Sequence, residues 1–278
     1  MQWVIYAALC SVSVSIYLKW LKHRGVDVLN LIAWNYIAAF MLTLAWFKPS
    51  LNIALNQVPW WHITALGVLL PSVFMCLAHA LTTAGMMRTE MAQRLSVIVS
   101  LAAAFLIFQE AWQWAKGGAL ILGLSAMILL VFSRHKMGGQ ASKWLLFVWL
   151  GYAIIDILLK QTSQMGMKTS LVLCLIFALA ALFSHVYLWL KKRHHFTATY
   201  VFAGLGLGVL NFLNIAFYIQ AHKSLSHSPA LVFAGMNILV VVFGVLAGVV
   251  FFKERLNARL LAGMILACSS LGLLAYQL

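Results

Sequence analysis

Hydrophobic residues along this chain are gathered into long runs, and short polar segments separate the runs. Each run is close to the roughly 20 residues that a helix needs to cross the hydrocarbon of a bilayer. Typical separators are the segments 48–50 and 138–140, which read Lys-Pro-Ser and Gly-Gly-Gln. The pattern predicts ten transmembrane helices, near residues 2–19, 28–47, 61–84, 91–108, 115–132, 144–161, 170–190, 200–220, 229–252 and 258–277.

Two of these runs end in the same way, half a chain apart. Residues 101–110 read LAAAFLIFQE and residues 245–254 read VLAGVVFFKE, so each run stops at Phe-x-Glu. The segments 3–19 and 144–160 also match, because each begins with Trp and ends with Leu-Lys. Matches of Trp, Lys, Phe and Glu in the same order indicate an internal duplication rather than chance similarity between apolar helices.

The duplication has a geometric consequence for the membrane. Five helices per copy is an odd number, so the second copy must enter the bilayer from the opposite side. The sequence therefore predicts an all-α membrane protein with ten transmembrane helices in two inverted five-helix repeats, residues 1–137 and 143–278. Halves of this kind are a recurrent plan of transporters, with the substrate near the bilayer midplane. Both halves lie in one chain, so a monomer is sufficient for a translocation path.

Composition excludes a soluble protein of this length. Of the 278 residues 64% are hydrophobic and 9% are charged, and the mean hydropathy is +0.97. A soluble domain would carry roughly a quarter charged residues. The net charge of +14 raises the question of a nucleic-acid partner. However, the basic residues form short clusters between apolar runs, such as residues 191–193, as they do at the ends of membrane spans. We therefore expect a lipid bilayer and no nucleic acid as partner.

Charged residues inside the predicted spans are the first candidates for a site, because charge in the hydrocarbon is costly and is usually functional. Glu90 and Arg94 are four residues apart and share a helix face, with Gln93 beside them. One interpretation is a polar wall of the translocation path, where Arg94 binds a carboxylate or a phosphate. The alternative is an interfacial ion pair that anchors the helix end.

Asp156 and Lys160 repeat this spacing in the sixth span. Lys160 matches Lys19, so we expect both lysines to serve the fold at a helix end. Asp156 has no acidic counterpart in the first half. A single carboxyl group in a membrane is a candidate proton-coupling site, and a local pair with Lys160 is the alternative.

Further polar residues complete the candidate sets. Asn211, Asn214 and Asn237 are candidates for substrate contact or for hydrogen bonds between helices, and His79 lies within the third span. Glu110 and Glu254 stand where a helix ends, which is electrostatically unfavourable for an acid. We interpret this pair as structural latches that cap the following turn or pair with Lys116 and Arg259.

These features together resemble a known family. The matched Trp-to-Lys helices, the Phe-x-Glu endings and the glycines that follow each ending are similar to those of the drug/metabolite transporter superfamily, in its ten-helix EamA-like branch. The resemblance implies secondary transport of a small organic solute, such as an amino acid, a related metabolite or a drug, by alternating access. It implies no enzyme activity, cofactor or metal, and a multi-pass location in a bacterial plasma membrane, with a proton as candidate coupling ion.

The chain departs from the family pattern in places that bear on the substrate. Family members commonly have an arginine in the second helix, where this chain has Asn35 and Tyr36. They commonly have a proline near the start of the fourth and ninth helices, where this chain has residues 93–94, Gln-Arg, and 236–237, Met-Asn. The identity of the substrate is therefore not inferred from any relative.

Two other functions remain open at this point. The same fold can host a lipid-carrier flippase, and His79 and His185 within spans suggest a membrane haem or redox protein, although haem ligation would need histidines that face each other. The motif HExxH and a Walker-type GxxxxGK[ST] are both absent from the sequence, which disfavours a zinc protease or a primary pump.

The distribution of basic residues predicts an orientation. Of the 19 lysines and arginines, fourteen fall in or beside the odd-numbered loops between the ten spans and five beside the even-numbered loops. Positive residues mark the cytoplasmic side. The bias therefore predicts cytoplasmic odd-numbered loops and both termini outside, whereas the family resemblance implies both termini inside.

Overall fold

The computed structural model describes residues 1–49, 58–106, 114–131, 139–192, 197–225 and 229–276. Within these ranges the chain forms eleven helices. They are α1 (Gln2–His23), α2 (Val28–Phe47), α3 (Trp60–Thr83), α4 (Met86–Arg94), α5 (Ser96–Leu106), α6 (Trp114–Val131), α7 (Gly139–Gln164), α8 (Thr169–Leu190), α9 (Ala198–Ser224), α10 (Pro229–Phe252) and α11 (Ala258–Tyr276).

Helix length and composition make this a multi-pass membrane protein. Eight helices of the described ranges are long and apolar enough to cross a bilayer: α1, α2, α3, α7, α8, α9, α10 and α11. Helix α6 adds a shorter apolar segment, Gly117–Leu129. Together these helices coincide with nine of the ten spans predicted from the sequence, to within a few residues at each end.

The fourth span differs from the prediction of 91–108. It begins at Met86, directly after Gly85, whose φ of +91° turns the chain from α3 into the new helix. Hydropathy missed this first part, α4, because it carries polar residues that are nevertheless buried in the bundle. Thr89 and Glu90, for example, are 0% exposed.

The fourth span is also interrupted at Leu95, which separates α4 from α5. The indole Nε1 of Trp149 on α7 donates a hydrogen bond of 2.9 Å to the Leu95 carbonyl oxygen. The Ile98 amide donates a hydrogen bond of 3.0 Å to the same oxygen. This bond spans three residues, whereas the bonds of a regular α-helix span four. A side chain that enters the helical hydrogen-bond ladder is an established cause of such irregularities.

Helices of residues 1–131 pack chiefly against helices of residues 139–276. Helix α2 lies against α8 and α9, α1 against α9 and α10, and α3 against α7 and α8. Helix α6 packs on α11, and α4 lies between α7 and α10. Small residues bring these helices together, as is usual in membranes. A Cβ added to Gly208 of α9 would lie 2.5 Å from the Asn35 carbonyl oxygen of α2.

Helix ends meet in two groups, which we call the first face and the second face. The first face holds the ends of α1, α3 and α10 and the starts of α4 and α11, which line one small cavity together. The second face holds the ends of α2, α7 and α9 and the start of α8, which line a larger cavity. The odd-numbered loops that join α1 to α2, α3 to α4 and α10 to α11 belong to the first face.

Candidate solute-binding site

Arg94 is the last residue of α4 and lies half-buried in the bundle. Its Nη2 donates a hydrogen bond of 2.6 Å to Ser11 Oγ on α1. Its Nε is buried and has no hydrogen-bond partner in the described part of the chain. A guanidinium group has five N–H donors, so this side chain keeps donors with which to bind a solute.

Glu90 lies one helical turn before Arg94 and is 0% exposed. Both carboxyl oxygens are buried without a hydrogen-bond partner among the described residues. Its side chain lies against α10, since a Cβ on Gly244 would be 2.7 Å from Glu90 Cγ. Arg94 acts on it electrostatically, and Ser15 of α1 lies nearby. A buried carboxyl group without partners is costly, and the arginine offsets part of that cost.

Asp156 of α7 is bound to the start of α5. Its Oδ2 accepts hydrogen bonds from Ser96 Oγ at 3.3 Å and from Ser100 Oγ at 3.5 Å. Both serines follow the interruption at Leu95, and Arg94 also acts electrostatically on Asp156. The structure therefore brings together two candidates, Arg94 and Asp156, that are far apart in sequence.

Two tyrosines join these charged groups. Tyr152 lies one turn before Asp156 on α7 and is near Arg94, Glu90 and Asp156. Tyr218 of α9 is near Arg94 and Asp156. We call Glu90, Arg94, Tyr152, Asp156 and Tyr218 the central cluster. Its members come from α4, α7 and α9, and therefore from both halves of the chain.

A cavity of about 1180 Å³ opens at the second face between α2, α7, α8 and α9. Tyr218 lines this cavity and belongs to the central cluster, so it connects the two. Lys160 and Ser163 of α7 also line the cavity. Asp156 lies one turn beyond Lys160, which places it about 6 Å farther along the axis of α7 from the second face. Tyr218 is thus the member of the cluster that lines the cavity.

At the first face, Glu254 joins three helices. Its Oε1 accepts hydrogen bonds from Lys19 Nζ of α1 at 2.6 Å and from the Met86 amide of α4 at 2.6 Å. Its Oε2 accepts one from the Met87 amide at 3.1 Å. We call these four residues the latch. The sequence suggested Arg259 as the partner of Glu254. The structure gives Lys19 and the α4 amides instead, because a carboxylate is strongly favoured at the positive end of a helix.

Comparison with known proteins places this arrangement in a family. A sequence model described as the EamA-like transporter family matches residues 1–132. The chain belongs to this family. The family is part of the drug/metabolite transporter superfamily, so this EamA-like chain is a membrane transporter.

Two individual proteins are similar over nearly the whole chain. An uncharacterized protein of Haemophilus influenzae is 39% identical over 285 residues, which cover 98% of this chain and 97% of the relative. A solved crystal structure matches 96% of this chain and 97% of its own with a TM-score of 0.59 and 14% identity. At that identity the match shows the fold alone.

Some predicted site residues of this EamA-like transporter lie near the central cluster. Gln93 is half-buried beside Arg94. Asn214 lies one turn from Tyr218 on α9, and its Oδ1 is buried without a hydrogen-bond partner among the described residues. An amide oxygen of this kind is available to accept a hydrogen bond from a solute.

Other predicted site residues make contacts elsewhere. Asn211 Nδ2 donates to Asn35 Oδ1 of α2 at 3.3 Å, and Asn237 Nδ2 donates to the Phe233 carbonyl oxygen on its own helix at 2.9 Å. His79 lies near the first face, where its ring stacks on Trp144 with centroids 4.6 Å apart. Glu110 lies outside the described residues, as does the side chain of Lys116.

Sequence reasoning overlooked the tyrosines and Ser11 as parts of the site. Tyr152, Tyr218 and Ser11 are not among the candidate site residues that the sequence suggested. The spacing of Tyr152 four residues before Asp156 was an available signal, because residues i and i+4 share a helix face. No comparable signal in the sequence connects Ser11 with Arg94.

Proposed function

We propose that this EamA-like transporter is a secondary transporter that moves a small organic solute by alternating access, with the central cluster as its solute-binding site. One observation carries the proposal. The cluster adjoins a cavity that opens at the second face, while the latch ties α1, α4 and the end of α10 together at the first face. A site accessible from one side and fastened on the other is the arrangement that alternating access requires.

Helix packing supports the inverted repeats that the proposal uses. If α1–α6 are exchanged for α7–α11, the contact of α1 with α9 becomes that of α7 with α3, and the contact of α2 with α9 becomes that of α8 with α3. Under the same exchange, the contact between α2 and α8 corresponds to itself, and so does the contact between α6 and α11. Such correspondence favours two related halves, residues 1–137 and 143–278, that rock around a shared centre.

Each cluster residue has a proposed role. Arg94 binds an acidic group of the solute through its free donors. Asp156, which accepts two long hydrogen bonds from serines, carries the coupling proton. Asn214 and Gln93 supply hydrogen bonds that orient the solute. Glu90 balances the charge of Arg94 when the site is empty.

The proposal is tested by counterflow in proteoliposomes that contain the purified protein, with a panel of radiolabelled amino acids, organic acids and amines. We expect exchange of at least one solute, and loss of that exchange in Arg94→Gln. The matched control is Arg259→Gln, which removes an exposed arginine that lies outside the cluster and the latch. Scrambling of a fluorescent lipid without solute exchange would contradict the proposal and favour the lipid-carrier flippase.

The proposed location is the plasma membrane of a bacterium. The multi-pass helices require a bilayer, and the relative from Haemophilus influenzae supports a bacterial source. A single copy supplies both halves of the path, so we propose that the monomer is functional.

A further inference from the structure

The second-face cavity is lined by cationic side chains. Lys160, Lys168 and Lys223 all contribute to its wall, together with His222. The lining contains no aspartate or glutamate among the residues that the structure describes. A cleft lined by charges of one sign raises the local concentration of solutes of the other sign.

The positive charge is concentrated at this cavity, although the second face as a whole carries few basic residues. Of the 19 lysines and arginines in the sequence, five lie at or beside the even-numbered loops, and three of these five line the cavity. A general excess of basic residues on one side of the membrane therefore does not account for the pattern.

Acidic residues are too few to neutralise this charge. The sequence contains five. Asp27 caps the start of α2 and Glu254 belongs to the latch, and Glu90 and Asp156 belong to the central cluster. Only Glu110 remains for the even-numbered loops, where Lys168 and Lys223 lie.

A path of suitable groups leads inwards from the cavity mouth. The ring of His222 contacts that of Tyr218, one turn deeper on α9, with centroids 4.7 Å apart. Tyr218 in turn lies within electrostatic reach of Arg94. Both carboxyl groups of the cluster lie within electrostatic reach of Arg94. The Cγ of Glu90 packs toward Gly244, and Asp156 accepts hydrogen bonds from serines. Arg94 keeps a buried Nε without a partner in the described residues.

We propose that the transported solute is an organic anion, with a carboxylate or phosphate group that enters past Lys168 and Lys223 and is bound by Arg94. This inference rests on the proposed transport function and narrows its substrate class. The lysines concentrate the anion at the mouth, and the guanidinium group then binds it by charge-assisted hydrogen bonds. A cation of the same size is repelled at the mouth, where Lys168 and Lys223 lie.

The charge preference is tested without knowledge of the natural solute. In a variant whose four cysteines are replaced by alanine, single cysteines are placed at Ser163 on the cavity wall and at Ile215 deeper on α9. Each is modified by a methanethiosulfonate reagent with an anionic sulfonate and by one of similar size with a cationic trimethylammonium group. The rates are divided by those for an uncharged cysteine peptide in solution.

We expect the normalised rates to favour the anionic reagent by about tenfold at both positions. The preference should decrease at high salt and in Lys168→Gln/Lys223→Gln. Arg94→Gln should decrease it at position 215 and leave it unchanged at position 163. Equal rates, or faster cationic modification at position 215, would overturn the proposal, and so would the absence of any modification there. If Arg94→Gln has no effect at position 215, the assigned role of Arg94 is wrong.

A transport measurement separates this inference from the function on which it rests. Proteoliposomes are tested with phenylacetate, phenethylamine and phenylalanine, and with succinate and putrescine, which differ chiefly in charge. Exchange of phenylacetate or succinate without exchange of either amine supports the anionic class. Exchange of amines alone overturns it and leaves secondary transport intact. If no solute is exchanged, transport itself is contradicted, and the modification rates still decide the charge preference of the cavity.

Discussion

Lys19 Nζ and Glu254 Oε1 are 2.6 Å apart and form an ion pair between residues at opposite ends of the sequence. The side chains are only 7% and 17% exposed. Glu254 also accepts hydrogen bonds from the Met86 and Met87 amides, so a single carboxylate neutralises a buried lysine and caps the start of α4. Loss of the Glu254 carboxylate therefore breaks more interactions of the latch than loss of the Lys19 ammonium group.

This inequality predicts a difference between two substitutions. Glu254→Leu removes the ion pair and both amide bonds, whereas Lys19→Leu leaves the amide bonds in place. Loss of one partner of a buried pair costs about 3–5 kcal/mol, and unsatisfied buried amides add about 1–3 kcal/mol each. We expect a larger decrease in melting temperature for Glu254→Leu, measured by fluorescence-detected gel filtration. Arg255→Gln, at an exposed neighbouring position, is the control. An equal or larger decrease for Lys19→Leu would contradict the three-way contact.

Arg94→Lys distinguishes charge from hydrogen-bond geometry at the centre of the bundle. Lysine keeps the positive charge but lacks the planar set of donors that can bind Ser11 and a solute at once. We expect the KM for counterflow to rise about tenfold or more, since a hydrogen bond to a charged group contributes about 1.5–3 kcal/mol. The melting temperature reports whether the fold is retained. An unchanged KM would remove Arg94 from the binding site.

Asp156→Asn separates coupling from binding. Asparagine can still accept hydrogen bonds from Ser96 and Ser100, but it cannot carry a proton at physiological pH. We expect uphill uptake driven by a pH gradient to be lost while solute counterflow persists. Ser100→Ala is the matched control. It removes one hydroxyl group, which shares its single proton among long contacts with Asp156 and with the Ser96 and Ala153 carbonyl oxygens, and it should leave coupling in place. Continued uphill uptake by Asp156→Asn would exclude this carboxyl group as the coupling site.

Trp149→Phe tests the interruption of the fourth span. The substitution keeps an aromatic ring but removes the donor to the Leu95 carbonyl oxygen, at a cost of about 1 kcal/mol. Arg94 precedes Leu95 directly, so we expect weaker solute binding from altered positioning of its guanidinium group. Trp144→Phe on the same helix lies near the first face, against His79, and should leave the KM unchanged. If both variants behave alike, the hydrogen bond to Leu95 does not position the site.

The orientation prediction is tested in whole cells. The charge distribution predicts that the first face is cytoplasmic and the termini are outside. Alkaline phosphatase fused after Leu278 should then be active, and a fluorescent protein that folds only in the cytoplasm should remain dark. An impermeant sulfonate reagent should also modify Ser163→Cys in intact cells. Fluorescence of the fusion would show instead that the chain follows the arrangement common in its family.

The sequence predicted most of the fold because hydropathy reports directly on lipid-facing helices. It failed where burial is decided by neighbouring helices rather than by lipid. Helix α4 reads as polar, yet Thr89 and Glu90 are buried against the rest of the bundle. The interruption at Leu95 depends on Trp149, more than fifty residues away, and local sequence carries no sign of it.

The sequence predicted the charged residues of the candidate site but not the residues that they contact. Arg94 and Asp156 stand out because charge is rare in the spans. That they lie close together follows from the packing of α4, α5 and α7, which a single sequence does not specify. Glu254 was expected to pair with nearby Arg259, because spacing reveals only local neighbours. Its actual partner, Lys19, comes from the other half of the chain.

Helix α4 links the two ends of the proposed transport cycle. It has nine residues, from Met86 in the latch to Arg94 in the central cluster. A helix of this length is about 13 Å long, and it ends at the interruption at Leu95. In the proposed cycle, a solute that displaces Arg94 along the axis of α4 also strains the hydrogen bonds between Glu254 and the α4 amides. By thermodynamic reciprocity, release of those bonds must change the affinity for the solute by the same factor. In the proposed mechanism, the ion pair between Lys19 and Glu254 is thus coupled to solute binding at Arg94.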